Sequence, residues 1–259
     1  LARLGLDDRA APTKLRFFDD PEDAVSEADF IQESGPENLE AKRGLYAKLE
    51  PKLPPATVVA SSTSGFMPSD LREGRVGPER YVVGHPFNPP HLIPLVEVVG
   101  GKITDPVVVD WTAAFYDQLG KVTIKVEKEV PGHVANRMQV ALYREAIHLV
   151  LEGVASPADV DAAIAHGPGL RWALMGPHAL HELAGGQGGM RHQLEHLGPG
   201  ISSWWSDLGK PEITPQTIDR LVEAYQADNP PSVSELAKQR DVLLIELLNT
   251  LRQARSRPS

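Results

Sequence analysis

The sequence of 259 residues contains no cysteine. Disulfide bonds, thiolate zinc sites and a cysteine nucleophile are therefore excluded, and we expect a cytoplasmic location. Long hydrophobic runs are also missing, because the most apolar stretch, VLLIELLNTL, contains Glu246 and is too short to cross a bilayer. We expect no membrane-spanning segment. The first residues, LARLGLDDRAAP, are too charged for a signal-peptide core and do not begin with Met, so we expect a truncated or unobserved N-terminus.

Positive charge is also scarce in this chain. Lys and Arg number 26 against 35 Asp and Glu, which gives a net charge of -9. A phosphate backbone would be repelled on average, so we expect a small-molecule ligand and no nucleic acid. The apolar share of 41% and the charged share of 24% are ordinary for a globular protein with a real core.

The first half of the chain alternates strand-like and helix-like patterns. Helices are predicted over 36–50 and 105–119, with Asp105 and Pro106 as a cap and first-turn pair and Gly120 at the helix end. Short β-branched runs alternate with these helices: ADFIQES precedes the first helix, ATVVASS, RYVVG and LIPLVEVV lie between the two, and KVTIKVE follows the second. This alternation predicts a parallel or mixed sheet with helices on its faces.

The second half, after about residue 130, reads as all helix. A helix over 133–152 ends at Gly153, and Ser156 to Asp159 resembles a capping box that opens the next helix. A leucine stripe predicts a final helix over 234–255. Connections between helices are predicted at the Pro/Gly-rich pieces, which lie at 166–177, 185–200 and 229–231.

An α/β half followed by a helical half is a common arrangement for nucleotide binding, which normally uses a glycine-rich phosphate loop. No G-x-G-x-x-G occurs in this sequence. The segment AGGQGGM at 184–190 does not match it and is predicted to be a loop among helices. We expect the fingerprint in a first βαβ unit upstream of Leu1.

One segment, GHPFNPPHLIPLVEVV at 84–99, places a histidine and a carboxylate in two neighbouring apolar runs. A carboxylate that orients His85 and stabilises its imidazolium would let it move a proton near neutral pH, and Glu97 is available for that role. The alternative is that His85 satisfies backbone groups in a turn and Glu97 lies on the surface. Ser64 follows the run ATVVA, where it could hold a substrate oxygen or cap a helix.

Four segments together resemble the L-3-hydroxyacyl-CoA dehydrogenase superfamily. They are SSTSG at 61–65, GHPFNPP at 84–90, PLVEVV at 94–99 and PGHVANRM at 131–138, in the same order and spacing. The resemblance implies a Rossmann-type NAD-binding domain over 1–129, without its first βαβ unit. It implies an all-α substrate and dimerisation domain over 130–259, and a homodimer formed through it.

The same resemblance implies roles for individual residues. The proton-transfer pair falls on His85 and Glu97, and the contacts to the substrate oxygen fall on Ser64 and Asn136. In QESGPENLEAK, the cofactor contacts fall on Glu37 and Lys42, with Ser64 also near the cofactor; two charges at this spacing can equally form a solvated helix face. NAD rather than NADP is implied by the family alone.

Within the superfamily, the helical half resembles the L-carnitine dehydrogenase branch, on the segments GPGLRWALMGP, AGGQGGMRH and ISSWWSDLG. L-gulonate 3-dehydrogenases and 3-hydroxyacyl-CoA dehydrogenases are the alternatives. A trimethylammonium group cannot donate a conventional hydrogen bond and is usually held by aromatic faces. Arg171 or Arg191 could pair with a substrate carboxylate. The aromatic candidates, which could equally pack helices together, are Trp172, Trp204, Trp205 and Tyr143.

Two other classes of protein stay open. A metal-dependent hydrolase could use imidazole ligands, although HALHEL is not the H-E-x-x-H motif. A structural, crystallin-like protein is the second alternative, yet all four residues of the implied catalytic set are present. The sequence therefore favours an NAD-dependent 3-hydroxy dehydrogenase without a metal. The histidines that would serve the hydrolase are His178, His181, His192 and His196.

Overall fold

The computed structural model describes residues 12–256. The chain divides into two compact units, the first ending at Met138 and the second beginning at Gln139. In the described part of the chain, no helix is both long and apolar enough to span a membrane.

The first unit contains a five-stranded sheet in the order β1-β2-β3-β4-β5. All neighbouring strands are parallel except β3 and β4, which are antiparallel, so the predicted mixed sheet is confirmed. Each strand falls on one of the β-branched runs identified in the sequence. The strands are β1 (Phe30–Glu33), β2 (Val58–Ser61), β3 (Tyr81–Pro86), β4 (Leu95–Gly100) and β5 (Val122–Val126).

Helices cover both faces of this sheet, which explains why its central strands are nearly continuous runs of apolar residues. On one face, Val59, Val83 and Val99 pack with Tyr46 of α2. On the other face, the alternate residues of the strands pack against α4, with Tyr116 as its central aromatic residue. The helices are α1 (Pro21–Val25), α2 (Leu39–Leu49), α3 (Pro68–Leu71) and α4 (Pro106–Gln118).

The caps decide where these helices begin and end. Asp105 accepts a hydrogen bond from the amide of Val107, and Gly120 has a φ of 77°, so both predicted ends of α4 are confirmed. Helix α2 begins later than predicted, because Asn38 is the N-cap and accepts from the amide of Ala41. Glu37 therefore lies before the helix and is not part of a helical charge pair.

The second unit is entirely helical in its described residues, as predicted. Gly153 has a φ of 70°, and Ser156 accepts from the amide of Asp159 at the start of α6, so both signals were interpreted correctly. Helix α5 begins in the first unit and continues into the second. The helices are α5 (Ala135–Leu151), α6 (Pro157–Ala165), α7 (Pro168–Trp172), α8 (Pro177–Ala184), α9 (Gly189–Asp207), α10 (Pro215–Ala227) and α11 (Val233–Ser256).

Two of the predicted connections contain helical residues. The piece at 166–177 includes the short helix α7, Pro168–Trp172. The piece at 185–200 was predicted to link helices, but α9 begins at Gly189 and continues through Pro199. A proline inside a helix removes one backbone donor, yet α9 continues through Pro199, which is exposed. Only the short turn at Gly186–Gly188 separates α8 from α9.

Candidate active site

The site is built around a histidine and a carboxylate on adjacent strands. His85 on β3 and Glu97 on β4 are direct partners in the antiparallel register, so their side chains leave the same face of the sheet. His85 Nδ1 lies 2.9 Å from Glu97 Oε2, and the two residues are 4% and 0% exposed. The structure therefore brings together the pair identified in the sequence and places it in the protein interior.

The second oxygen of Glu97 is held by backbone amides. Oε1 accepts from the N–H groups of Val134 and Ala135, each at 2.9 Å, where α5 begins. Burial alone would raise the pKa of Glu97. The hydrogen bond from His85 and the amides of Ala135 and Val134 outweigh burial and hold this pKa below its usual value. Glu97 is therefore an anion with both oxygens engaged.

This geometry also fixes the hydrogen on the imidazole of His85. An ionised carboxylate can only accept, so Nδ1 carries the hydrogen that it donates to Glu97. In neutral His85 the free lone pair is then on Nε2. The ring of Phe87 stands edge-on to the imidazole, with centroids 6.2 Å apart. His85 is therefore arranged to accept a proton through Nε2.

Two turns meet beside this pair, one at 61–65 and one at 130–136. Three successive carbonyls of the first turn each accept a hydrogen bond from the second. Thr63 O is 3.2 Å from His133 Nε2, Ser64 O accepts from Asn136 Nδ2 at 3.1 Å, and Gly65 O accepts from the amide of Gly132 at 3.4 Å. Ser64 and Asn136, both named from the sequence, are thus neighbours, and Ser64 is exposed.

Glu37 supports the first of these turns from the other side. Its Oε1 accepts from Thr63 Oγ1 at 2.5 Å and from the amides of Ser64 and Gly65 at 3.0 and 3.1 Å. Oε2 lies 3.6 Å from Lys42 Nζ, and the Glu37 side chain is 46% exposed. Oε1 of Glu37 therefore holds the turn at 61–65, and Oε2 lies beside the ammonium of Lys42 on a side chain that is half-exposed.

Lys42 is buried in an ion pair that the sequence analysis missed. Its Nζ donates to both oxygens of Glu33, at 3.0 and 3.1 Å, and to the carbonyl of Gly35 at 3.3 Å. An ammonium has three hydrogens, and these three acceptors can use them all. The pairing of Glu37 with Lys42 as two exposed charges is therefore wrong for Lys42, whose side chain is 1% exposed.

Glu33 is the centre of this buried network. Tyr46 and Ser61 also donate to its Oε2, at 3.0 and 2.6 Å. Burial acts to raise the pKa of Glu33, but the hydrogen bonds from Ser61, Lys42 and the amide of Gly35 outweigh it and lower this pKa. A glutamate inside the strand FIQE was the available signal, since an acid in a buried strand needs partners.

The edge of the sheet near these residues is polar and fits a dinucleotide. Ser34 and Ser62 have their hydroxyl oxygens 2.7 Å apart, and Gln32 Nε2 donates to Ser62 at 2.7 Å. These residues follow or end β1 and β2, and dinucleotides bind at the carboxyl ends of parallel strands. A Cβ atom at Gly84 would overlap the Tyr116 hydroxyl, so only glycine fits beside His85.

The predicted substrate residues of the second unit are all exposed. Trp172, Trp204 and Trp205 are 43%, 70% and 68% exposed, and Tyr143 is 61% exposed. None of the four makes a ring contact with another aromatic residue of the described chain. Tyr143 lines a groove of about 400 Å³ that none of the three tryptophans borders. The structure therefore does not gather them into one cage within a single chain.

The two candidate arginines are also at the surface. Arg171 is exposed, and the Arg191 side chain is 85% exposed with Nη1 3.4 Å from Glu195. Three of the four histidines of the hydrolase alternative, His181, His192 and His196, form two separate features, and the fourth, His178, is exposed on α8. His181 Nδ1 is 2.7 Å from Gln193 Oε1, and His192 stacks on His196. Within residues 12–256, no group of three or more His, Cys, Asp or Glu could hold a metal ion.

The polar sheet edge indicates a dinucleotide cofactor, and the buried imidazole indicates a group that removes a proton from an alcohol. Together they indicate that the protein is a dinucleotide-dependent dehydrogenase. Residues 6–130 match the family model described as 3-hydroxyacyl-CoA dehydrogenase, NAD binding domain. Residues 132–228 match the model of the C-terminal domain of the same enzymes. The chain belongs to the 3-hydroxyacyl-CoA dehydrogenase family, and its cofactor is NAD.

Named relatives are similar to the chain over nearly its whole length. It is 48% identical over 249 residues to the L-carnitine dehydrogenase of Streptomyces coelicolor, covering 96% of this chain and 78% of that protein. It is 49% identical to the L-carnitine dehydrogenase of Streptomyces griseus subsp. griseus, covering 96% and 74%. The crystal structure of 5-formyl-3-hydroxy-2-methylpyridine 4-carboxylic acid 5-dehydrogenase, an NAD+ dependent dismutase, aligns with a TM-score of 0.83 and 31% identity, covering 97% of this chain and 82% of that one.

Proposed function

We propose that this protein oxidises the C3 hydroxyl of L-carnitine to give 3-dehydrocarnitine. The observation that carries the proposal is the buried 2.9 Å contact between His85 Nδ1 and Glu97 Oε2. The family supports the reaction class, and the relatives at 48% and 49% identity support the choice of substrate.

His85 is the general base in this proposal. Its Nε2 lone pair takes the proton of the C3 hydroxyl while the hydride leaves C3, and the C–O bond becomes a carbonyl. NAD, when bound, supplies the acceptor for that hydride. Glu97 keeps Nδ1–H pointing toward itself and stabilises the imidazolium that forms. Because Glu97 is already ionised and engaged, no group has to reorient during the proton transfer.

Ser64 and Asn136 hold the reacting oxygen. Asn136 uses one N–H for the carbonyl of Ser64 and has a second N–H to offer, and the Ser64 hydroxyl is exposed. Donors fixed at the oxygen before the reaction stabilise the charge that develops there. Their common anchoring on the turn at 61–65 supports this role.

Glu37 is the stronger of the two proposed cofactor contacts. Its outward Oε2 can accept from a ribose hydroxyl, which is the kind of partner that carboxylates bind in such domains. Lys42 contributes through its position 3.6 Å from that oxygen rather than through a free donor. Ser64 borders the same place. A readout is the dissociation constant of NADH, which we expect to rise in Glu37→Gln.

The aromatic side chains of the second unit are the proposed contacts for the substrate cation. Trp172, Trp204, Trp205 and Tyr143 expose ring surface that a trimethylammonium can approach, and cation–π contacts need accessible faces. Arg171 or Arg191 would pair with the carboxylate at the other end of the substrate. Exposure of all six side chains supports this assignment.

The test of the proposed function is a substrate screen. Full-length protein with NAD is assayed at 340 nm against L-carnitine, L-gulonate and 3-hydroxybutyryl-CoA, with D-carnitine as the stereochemical control. We expect turnover of L-carnitine alone. The family description favours 3-hydroxyacyl-CoA as the second candidate, and selective turnover of that substrate, or of L-gulonate, would overturn the carnitine assignment.

We also propose a cytoplasmic homodimer, in which 1–129 binds the cofactor and 130–259 forms the substrate and dimer domain. Support for the dimer comes from one face of α11, where Leu236, Leu243 and Leu247 are 37%, 64% and 40% exposed. Monomeric proteins rarely expose such apolar surface. Light scattering should give twice the chain mass for the wild type, and a Leu243→Glu, Leu247→Glu double variant should give the monomer mass.

A further inference from the structure

His133 is a second buried imidazole that the mechanism above does not use. It is 0% exposed, and its ring centroid is 5.4 Å from that of His85. Nε2 faces the carbonyl oxygen of Thr63 at 3.2 Å, and Nδ1 has no hydrogen-bond partner among the described residues. A histidine in this position acts either as a second proton carrier or as a fixed support.

The hydrogen-bond geometry favours the second role. A carbonyl oxygen only accepts, so Nε2 of His133 carries the hydrogen and Nδ1 is a bare lone pair. Protonation would place a hydrogen on Nδ1 where the described residues offer no acceptor, and buried unpaired donors are costly. Burial lowers the pKa of His133, and positive charge on His85 acts in the same direction. The Thr63 carbonyl and the carboxylates of Glu97 and Glu37 act oppositely and are outweighed.

The backbone at His133 supports the site as well. Its φ of 51° is in the left-handed region, directly after Gly132 with a φ of 74°. Histidine is among the few non-glycine residues enriched in this conformation. The next two amides, of Val134 and Ala135, then point together at Glu97 Oε1, as successive amides in such turns do around an anion.

We propose that His133 is a positioning residue that ties the proton-transfer pair to the turn carrying Ser64. Its backbone directs two amides to Glu97, and its Nε2–H fixes the carbonyl of Thr63, one residue before Ser64. It stays neutral while His85 takes the proton. This inference rests on the proposed roles of His85, Glu97 and Ser64, and it is independent of which 3-hydroxy compound is the substrate.

Two variants of the full-length protein test the role of the donor. His133→Phe keeps a planar ring and removes the N–H, whereas His133→Gln keeps an N–H at similar reach, and neither residue is among those enriched at positive φ. We expect kcat to fall about 3- to 10-fold in the Phe variant, as for loss of one net hydrogen bond. The Gln variant should recover to within about 2-fold of wild type. The acidic limb of kcat/KM should stay at the wild-type pH in both variants.

Nitrogen NMR of the imidazoles provides a readout that needs no variant. In the wild type, His133 should show one protonated and one bare nitrogen that do not change over the pH range in which kcat/KM rises. Titration of His133 in step with activity, wild-type kcat in His133→Phe, or equal losses in the Phe and Gln variants would each overturn the inference. If His85→Gln is fully active, the proposed mechanism itself fails; if His85→Gln is inactive while the His133 tests fail, only this inference does.

Discussion

The two units treat their polar and aromatic side chains in opposite ways. In the described chain, every buried charged side chain lies in the first unit, where Glu33 pairs with Lys42 and Glu97 pairs with His85. The second unit instead exposes Trp204 and Trp205. Buried groups with fixed partners suit chemistry that must be repeated without rearrangement, while exposed rings suit recognition of a ligand. The comparison supports the proposal that the first unit carries the reaction and that the second unit selects the substrate.

The comparison predicts its largest effect at the base. His85→Gln should lower turnover by about 10²–10⁴-fold, the range for loss of a general base, while the dissociation constant of NADH stays nearly unchanged. His91→Gln is the matched control, because His91 is exposed and follows β3. Steady-state kinetics and NADH fluorescence titration measure both quantities. Normal turnover in His85→Gln would show that the buried imidazole of the first unit is not the general base.

A buried ion pair in the first unit should matter more to stability than any surface pair. Lys42→Met leaves Glu33 buried without its cation and should cost about 3–5 kcal/mol of unfolding free energy. Lys48→Met on the same helix is the control, since Lys48 is half-exposed beside Asp20 and Glu22 and its loss should be small. Urea unfolding followed by circular dichroism gives both values. Equal effects in the two variants would show that burial does not distinguish them.

The anion beside the base stabilises the charge that the imidazole gains during the reaction. Glu97 is ionised, with its pKa held low, so it favours the imidazolium form of its partner. Glu97→Gln removes that charge, and we expect turnover to fall by roughly 10²-fold, within the range for impaired base catalysis. Steady-state kinetics measure this fall. Wild-type turnover in Glu97→Gln would mean that Glu97 acts only as a structural residue.

The smallest expected effects lie in the second unit. We expect that replacing Trp172, Trp204 or Trp205 singly by Leu weakens the binding of L-carnitine by about 0.5–2 kcal/mol in at least one variant. The affinity for NAD should not fall to match. Trp111→Leu is the control, because Trp111 stacks on Phe115 in the first unit.

A neutral analogue sharpens this last test. With tert-butyl in place of trimethylammonium, the shape is kept and the charge is lost, so the analogue should be a poor substrate and the three variants should not change its KM. Apparent KM values for both compounds, measured in each variant, check this expectation. If each variant raises the KM of the two compounds equally, the tryptophans support the fold and do not bind the cation.

The sequence predicted those elements whose position depends on a few neighbouring residues. The strands follow β-branched runs, and Asp105 and Gly120 bound α4 because capping is a matter of a few neighbouring residues. The prediction failed at Pro199, because α9 continues through a residue type that normally ends a helix. The site was partly predictable, since the pair His85 and Glu97 was found.

Two members of the site were missed for a physical reason. Glu33 and His133 act through contacts with residues distant in sequence, such as Ser61 and Thr63. An acid in a strand and a histidine after a glycine are visible in the sequence, but their burial is not. Only the fold shows that neither side chain faces solvent.

The pairing of β3 with β4 has a consequence for how such an enzyme can change over generations. His85 and Glu97 face each other through strand register, and the segment from Phe87 to Pro94 joins the strands and places the Phe87 ring beside the imidazole. One residue inserted inside either strand would move the side chain of His85 or Glu97 to the opposite face of the sheet, and the pair would be lost. Insertions in the joining segment leave the register intact. Related enzymes can therefore vary the segment that joins β3 and β4, next to His85, and so accept a different alcohol while the pair of His85 and Glu97 is kept.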